Sequence, residues 1–451
     1  MCFHRHVLAC VLLAFLLFCG LSTQAVARVM ILDNPIRLPF SGFASSMAVA
    51  GDLDGDGVSD YIIGAYDQPV NTAASDQPVH NNDHQGRVFV FSGQSGKLLL
   101  TIEDPAPMPY AAFGFSVAAA GDVNKDGTPD LLVGAFGQDG SGKAFLFSGK
   151  DGKLLHSLQA PQRQIGGGFG WAVASLGDLN ADGSPDLIVG AFAQDGEGKA
   201  FVFDGQNGKL FRTLAPPEAS GGSAFGWSVA GAGDVNKDGM PDILVGAPYT
   251  MVDKIAVQGR AYVFDGKDGK LLYTVDDPQP VAGEVFGWRV ASGGDLNKDG
   301  VPDLLIGAPY KDIGTNPAQG TAFVFNGVDG KLLFPLSNPV PRPYAGFGYT
   351  VIEGADVNDD GAPEILIGAP FQTVDQFHVQ GEVFLLNGQD GRHLTTFDDP
   401  YPHQGATFGY SIASPGDVND DKIPDFAIGA SGQIIMDKVA VGRVFVFLSQ
   451  R

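Results

Sequence analysis

The chain has 451 residues, a formal net charge of −23 and a pI near 4.5. A charge of that sign excludes nucleic acid and anionic membrane surfaces as natural partners. Its three cysteines, Cys2, Cys10 and Cys19, are confined to the N-terminal segment, so no disulfide can staple the rest of the chain.

That segment reads as a secretory signal peptide spanning residues 1–27. Arg5 between two histidines opens it, residues 7–21 form an apolar run, and Ala25-Val26-Ala27 is a small-x-small cleavage site. The run is short for a membrane span, which needs about 20 residues. A lipoprotein anchor at Cys19 would want a small residue where Phe18 stands. Cleavage after Ala27 is therefore expected, with no membrane insertion afterwards and a secreted or periplasmic location. An exported chain without disulfides needs another cross-link, and metal ions are the candidate.

Next in chain order comes an acidic nine-residue loop, repeated seven times about 60 residues apart, the spacing of a repeat architecture. Each copy carries oxygen side chains at positions 1, 3, 5 and 9. They are Asp52, Asp54, Asp56 and Asp60; Asp122, Asn124, Asp126 and Asp130; Asp178, Asn180, Asp182 and Asp186; Asp234, Asn236, Asp238 and Asp242; Asp295, Asn297, Asp299 and Asp303; Asp356, Asn358, Asp360 and Glu364; and Asp417, Asn419, Asp421 and Asp425. Gly stands at position 6 in six copies, where the tight turn closes the backbone to residues with a Cβ. Such a loop suits Ca²⁺, which takes about six to eight oxygens. The position-7 carbonyl and a water would complete the shell.

Around each loop lie four strand cues, clearest in the fifth repeat. Residues 286–291 alternate, 304–309 are apolar and end in Gly-Ala-Pro, 322–325 form a third strand, and 326–330 turn into a fourth beginning at Lys331. Four antiparallel strands repeated seven times specify an all-β, seven-bladed propeller. The expected blades are 41–110, 111–167, 168–223, 224–284, 285–345, 346–406 and 407–447, in one domain over 28–451. The last repeat has only three strands. Residues 29–35 match the fourth strand of repeat four, so the N-terminal strand, 28–35, is expected to complete the last blade and close the ring, which removes exposed sheet edges.

Phe-Gly opens six repeats, at Phe113, Phe169, Phe225, Phe286, Phe347 and Phe408, with Phe43-Ala44 in the first; Gly-Ala-Pro begins at Gly246, Gly307 and Gly368. The chain thus resembles the FG-GAP repeat of the integrin α-subunit N-terminal β-propeller over essentially all of 28–451. The resemblance implies a seven-bladed propeller with Ca²⁺ in the loops joining strands one and two. Two departures set it apart from integrin α-subunits: the sequence shows no leg domain, membrane helix or tail after the propeller, and the cation loop appears in all seven repeats. It is read as an integrin-like propeller, with cell adhesion implied only through the likeness.

Two other cation loops fit poorly. An EF-hand needs a bidentate Glu at position 12, and here that position is apolar (Ile63, Val133, Val189, Val245, Ile306, Ile367, Ile428). A dockerin-type loop would run into a helix, and here it runs into a strand. A plain Asx-Gly turn without an ion is the bland alternative, but four clustered acids and amides in seven copies would repel without a cation. Up to seven Ca²⁺ are expected. The first loop, with four carboxylates, should bind tightest. In the sixth, Glu364 has a longer arm. In the seventh, Lys422 replaces the Gly, so that site is expected to be weak or empty.

The cation loops share one face with the third-to-fourth turns. The opposite face carries loops of varied length, where function on a constant scaffold is expected. A protein or glycan partner is assigned to it. The longest loop, 66–86, contains His80, Asp83 and His84, which suit either a transition metal or a solvated surface. Tyr249, Tyr310, Phe371 and Phe377 punctuate other long loops, as contacts or as packing. Phe115, Trp171, Trp227, Trp288, Tyr349 and Tyr410 share one place in six first strands and should ring the channel mouth. No catalytic set is present: there is no Gly-x-Ser-x-Gly and no HExxH. The expectation is a secreted calcium-binding, non-enzymatic adhesion or recognition module. The alternatives are a propeller enzyme acting on polysaccharide or lipid-linked glycan, and a structural envelope or matrix protein.

Overall fold

A computed structural model describes residues 28–68, 84–435 and 440–449. The segment assigned to the signal peptide, and with it the cleavage after Ala27, lies outside the described residues, as do His80 and Asp83.

Twenty-eight strands form seven four-stranded antiparallel sheets. The fifth blade is representative: β18 (Arg289–Gly294), β19 (Asp303–Ala308), β20 (Thr321–Phe325) and β21 (Leu332–Leu336) pair in sequence order. Its second and third strands are fully buried, and the fourth is half-exposed on the outer edge. This accounts for near-continuous apolar runs in the former and mixed composition in the latter. The expected first strand at 286–291 is displaced toward its loop. Phe286 and Gly287 stand outside the sheet, and Phe286 makes an isolated parallel bridge to Gly259 of the preceding blade.

The ring closes as expected. β1 (Arg28–Asp33) pairs antiparallel with β28 (Arg443–Leu448), and the last sheet runs β1, β28, β27 (Asp425–Ala430), β26 (Phe408–Gly416). Arg443 Nε reaches Asp33 Oδ1 at 2.7 Å across this seam.

Seven apolar clusters lie between blades rather than within them. The Phe of each Phe-Gly anchors one: Phe113 is fully buried and meets Phe147 edge-on at 5.9 Å. The paired motif has a steric cause. The Gly of Gly-Ala in one blade backs onto the carbonyl of the Phe-Gly glycine in the next, so a Cβ on Gly64 would stand 2.0 Å from Gly114 O. No side chain fits there, and both glycines are fixed by the approach of neighbouring blades.

Candidate cation loops and the variable face

Each acidic loop is held by its own side chains. In the fifth copy, Asp295 accepts from the Asp299 and Gly300 amides, both at 2.9 Å. Asn297 Oδ1 accepts from the Asp299 amide at 2.8 Å, and Asp299 Oδ1 from the Val301 amide at 2.9 Å. The second, third, fourth and sixth loops repeat this pattern. Position 6 is left-handed throughout, from Gly57 (φ 88°) to Gly361 (φ 81°). Lys422 adopts the same conformation at φ 70°, and its amide still reaches Asp417 Oδ2 at 2.6 Å. The seventh loop therefore keeps the backbone shape despite its strained residue.

In the first loop, Asp52, Asp54 and Asp60 each place a carboxylate oxygen within 4.8 Å of the others. None of them, nor Asp56, is in an ion pair among the described residues. Carboxylate oxygens that already accept an amide keep a second lone pair. The donor set therefore suits a hard cation.

Position 9 has a role that the spacing did not reveal. All seven of these acids are fully buried. Asp303 Oδ2 accepts from the Leu296 amide at 3.0 Å, and its Oδ1 from the Gly327 amide in the third-to-fourth turn at 3.2 Å. The same two-sided clasp recurs at Asp60, Asp130, Asp186, Asp242 and Asp425. Burial pushes these carboxyls up to about 6, partly offset by the amides they accept. Glu364 keeps one half of the clasp, to the Val357 amide at 2.9 Å, and its Oε1 is buried without a partner.

Position 4 was also overlooked. It is left-handed in all seven copies, and three of them carry lysines that reach the next blade. Lys125 Nζ donates to Asp182 O at 2.9 Å, Lys237 Nζ to Asp299 O at 3.3 Å, and Lys298 Nζ to Asp360 O. Three neighbouring pairs of cation loops, the second with the third, the fourth with the fifth and the fifth with the sixth, are thus stitched together by a lysine.

On the opposite face the expected aromatic ring forms. Successive ring centroids lie 4.5 Å apart for Phe115–Trp171, 4.6 Å for Trp171–Trp227, 4.8 Å for Trp227–Trp288, 5.4 Å for Trp288–Tyr349 and 5.0 Å for Tyr349–Tyr410. A second ring backs it: Tyr66, Phe136, Phe192, Tyr249, Tyr310 and Phe371 each pack on an inner member at 4.7–5.5 Å. Its signal was present in the sequence, as the aromatic that follows Gly-Ala or Gly-Ala-Pro in six repeats. Tyr249, Tyr310 and Phe371 thus pack on the ring. His84 pairs with Asp67 and stacks on Tyr110 at 5.2 Å.

Among the described residues the most exposed aromatics lie elsewhere, in the fourth-to-first connections. Three residues before each Phe-Gly (Phe-Ala in the first blade) the backbone is left-handed in every blade. Four blades place Gly there (Gly166, Gly222, Gly283, Gly405), and three place Phe40, Tyr110 and Tyr344, at φ 53°, 62° and 59°. These three are 70%, 57% and 65% exposed.

Among the described residues, no helix is long and apolar enough to cross a membrane. A family model described as an FG-GAP-like repeat matches residues 122–189 and 178–245, and one described as an FG-GAP repeat matches 286–325. The chain is 30% identical to Integrin alpha pat-2 of Caenorhabditis elegans over 325 residues, covering 66% of this chain and 24% of the relative. It is 33% identical to human Integrin alpha-6 over 218 residues, covering 45% of this chain and 18% of the relative. Integrin alpha-3 of Cricetulus griseus is 34% identical over 211 residues, 43% of this chain and 19% of the relative. The chain spans a quarter or less of the length of these relatives. The seven interlocked blades, six with Phe-Gly and one with Phe-Ala, and these matches together make the chain an integrin-like FG-GAP repeat protein.

Proposed function

We propose that the chain is a secreted, calcium-binding propeller that acts as a non-enzymatic adhesion or recognition module. Residues 1–27 serve as its signal peptide and 28–451 as a single domain. Its partner, a protein or glycan, docks on the variable face. The observation that carries this reading is the set Phe40, Tyr110 and Tyr344. A large side chain in left-handed backbone costs roughly 1 kcal/mol relative to Gly, and exposing it to water adds little to the fold; among the described residues, only Tyr110 of the three has a ring partner, His84. Sister blades show that Gly serves the turn. Strain kept at an exposed position points to a task outside folding, and exposed aromatics are the usual anchors of an interface. Likeness to integrin α-subunits supports the same reading.

Calcium would be held by the carboxylates and amides at positions 1, 3, 5 and 9 of the loops, the seventh site being the weakest. When bound, it would supply charge neutralisation and a cross-link at the base of each blade. The loop side chains pre-form the turn, and the position-9 acid ties it to the neighbouring turn.

Two measurements test the proposal. Chelation with EDTA should lower the melting temperature sharply; an unchanged melt sinks the calcium assignment. The triple variant Phe40→Gly, Tyr110→Gly, Tyr344→Gly should melt at or above the wild-type temperature yet capture no partner from native extracellular material. Capture equal to wild type would remove these three aromatics as the docking set.

A further inference from the structure

The cavity inside the aromatic ring, about 290 Å³ in volume, contains one charged side chain, Arg289. It stands one residue inward of Trp288 on the innermost strand. The same place in the other blades holds Ser46, Ser116, Ala172, Ser228, Thr350 and Ser411. Those hydroxyls have a structural task. Ser46 Oγ donates to Gly114 O at 2.8 Å, Ser116 Oγ to Gly170 O at 2.9 Å, Thr350 Oγ1 to Tyr410 O at 2.8 Å and Ser411 Oγ to Ala44 O at 2.7 Å, each bond stitching one blade to the next. Arg289 makes no such bond. Among the described residues it has no hydrogen bond, no ion pair and no ring under its guanidinium. A cation is thus held in the lumen of a strongly acidic protein, in place of a stitch, with nothing inside the molecule to pair with it.

The nearest acid on the channel wall is Glu353, on the neighbouring innermost strand. Its register lies three residues deeper than Arg289, roughly 10 Å along the strand. It leans to Gly294, and burial raises its pKa. At the mouth, Tyr349 donates its hydroxyl hydrogen to Tyr410 Oη at 2.9 Å. That leaves the Tyr410 O–H to donate to whatever enters.

We propose that Arg289 and this ring form a receptor pocket for a carboxylate, namely an Asp or Glu side chain on a loop tip of a protein partner. A guanidinium pairs with a carboxylate through two parallel bonds. The cavity has room for one side chain. The inner rings are tilted 42–48° to one another and wall the site. A guanidinium already in the lumen favours an anion over a cation as the entering group. The assignment deepens the recognition reading and rests on it for the claim that a partner reaches this face.

The chain carries its own reporter, since its only three tryptophans, Trp171, Trp227 and Trp288, are all in the ring. Intrinsic fluorescence of the calcium-loaded full chain should shift saturably on titration with N-acetyl-aspartate, supplied as its α-amide so that the side chain carries the only carboxylate, and not with N-acetyl-asparagine α-amide, which carries none. Arg289→Gln should weaken that response by at least about tenfold, and Arg289→Lys less, because a lysine keeps the charge without the fork. Arg289→Ser, which installs the residue of the sister blades, should fold at least as well as wild type and also lose the response. No saturable shift with N-acetyl-aspartate, or an equal shift in Arg289→Gln, overturns the pocket. Tighter binding of glucuronate than of N-acetyl-aspartate overturns the protein partner in favour of an acidic sugar. Wild-type partner capture by the triple glycine variant with the titration intact overturns the aromatic docking set and leaves the pocket standing, whereas lost capture with no titration response does the reverse, so the two readings fail separately.

Discussion

The side-chain amide of Asn338 donates to Oε1 of Gln372 at 2.7 Å, tying the corner after one blade's outer strand to the loop over the next blade. Asn34 makes the same bond to Gln68 at 3.0 Å. Asp104 with Gln138, and Asp399 with Gln433, have the same sequence separation and the same place in their blades. In both of these pairs the Asp Oδ2 and the Gln Oε1 are buried without a partner. A proton on each Asp would supply the missing donor. A protonated Asp is an Asn mimic, and burial raises the pKa of both acids.

Asp104→Asn and Asp399→Asn should therefore stabilise the protein, each by about 1 kcal/mol. The sign of the pH dependence comes from the direction of the shift. A carboxyl whose folded pKa is raised contributes stability that is full in acid, below its unfolded value, and lost as pH rises through the folded value. The gain from either substitution should thus be larger at pH 8 than at pH 5. Melting curves of the two variants across that range decide it, and equal gains at both ends would show that no proton is held.

Lys311 occupies the Gln place in the fifth blade. Its Nζ lies 2.5 Å from Asp277 Oδ2, 2.9 Å from Glu284 Oε2 and 2.6 Å from Gln279 O, all out of water. Burial raises Glu284 to about 7. Lys311→Met leaves two buried acids without a base and should lose roughly 3–5 kcal/mol. The triple change Asp277→Asn, Glu284→Ala, Lys311→Gln copies the Asn338, Ala345, Gln372 set of the sixth blade and should restore most of that stability. Denaturant midpoints of the two variants provide the check; a triple variant no better than Lys311→Met would show that the blades are not interchangeable at this corner.

The blade pattern was legible because it repeats in the chain. Phe286 recurs at Phe347 and Phe408, and β1 matched a fourth strand by sequence alone. Features that depend on backbone handedness or on the neighbouring blade were not legible. Nothing in the type of Tyr344 or Phe40 announces a positive φ until the four sister glycines are superposed on it. Lys298 reads as a solvated charge until the next loop's carbonyl is placed beside it. Asp303 reads as one more ligand oxygen, since the Gly327 amide that it holds is 24 residues away.

The seventh loop gives a direct measure of strain against charge. Lys422→Gly removes a left-handed Lys, worth roughly 1 kcal/mol, and a positive charge beside the proposed ion. Its melting temperature should rise without calcium and rise further with it. The bound-calcium count by native mass spectrometry should increase by one ion per chain at the same free calcium. A rise in stability with an unchanged count would mean that conformation, and not the ligand set, limits this copy.

Position 9 separates scaffold from ligand. Asp303 clasps three backbone amides, those of Leu296 and Gly327 buried and that of Asn297 partly so, and none of these bonds needs an ion. Asp299 is exposed and accepts amides only within its own loop and from the neighbouring turn, where Asn326 Nδ2 reaches it at 2.9 Å. Asp303→Ala leaves two amides in a buried setting without acceptors, so it should lower stability by about 2–4 kcal/mol even in EDTA. Asp299→Asn keeps the Val301 bond at Oδ1 and removes the charge, losing besides it only the exposed Asn326 bond at Oδ2, which is worth little in water. It should melt like wild type in EDTA and fall below it only in calcium. Thermal melts of both variants with and without calcium complete the comparison. If Asp303→Ala matched wild type in EDTA, the clasp would have no structural weight and position 9 would be a ligand alone.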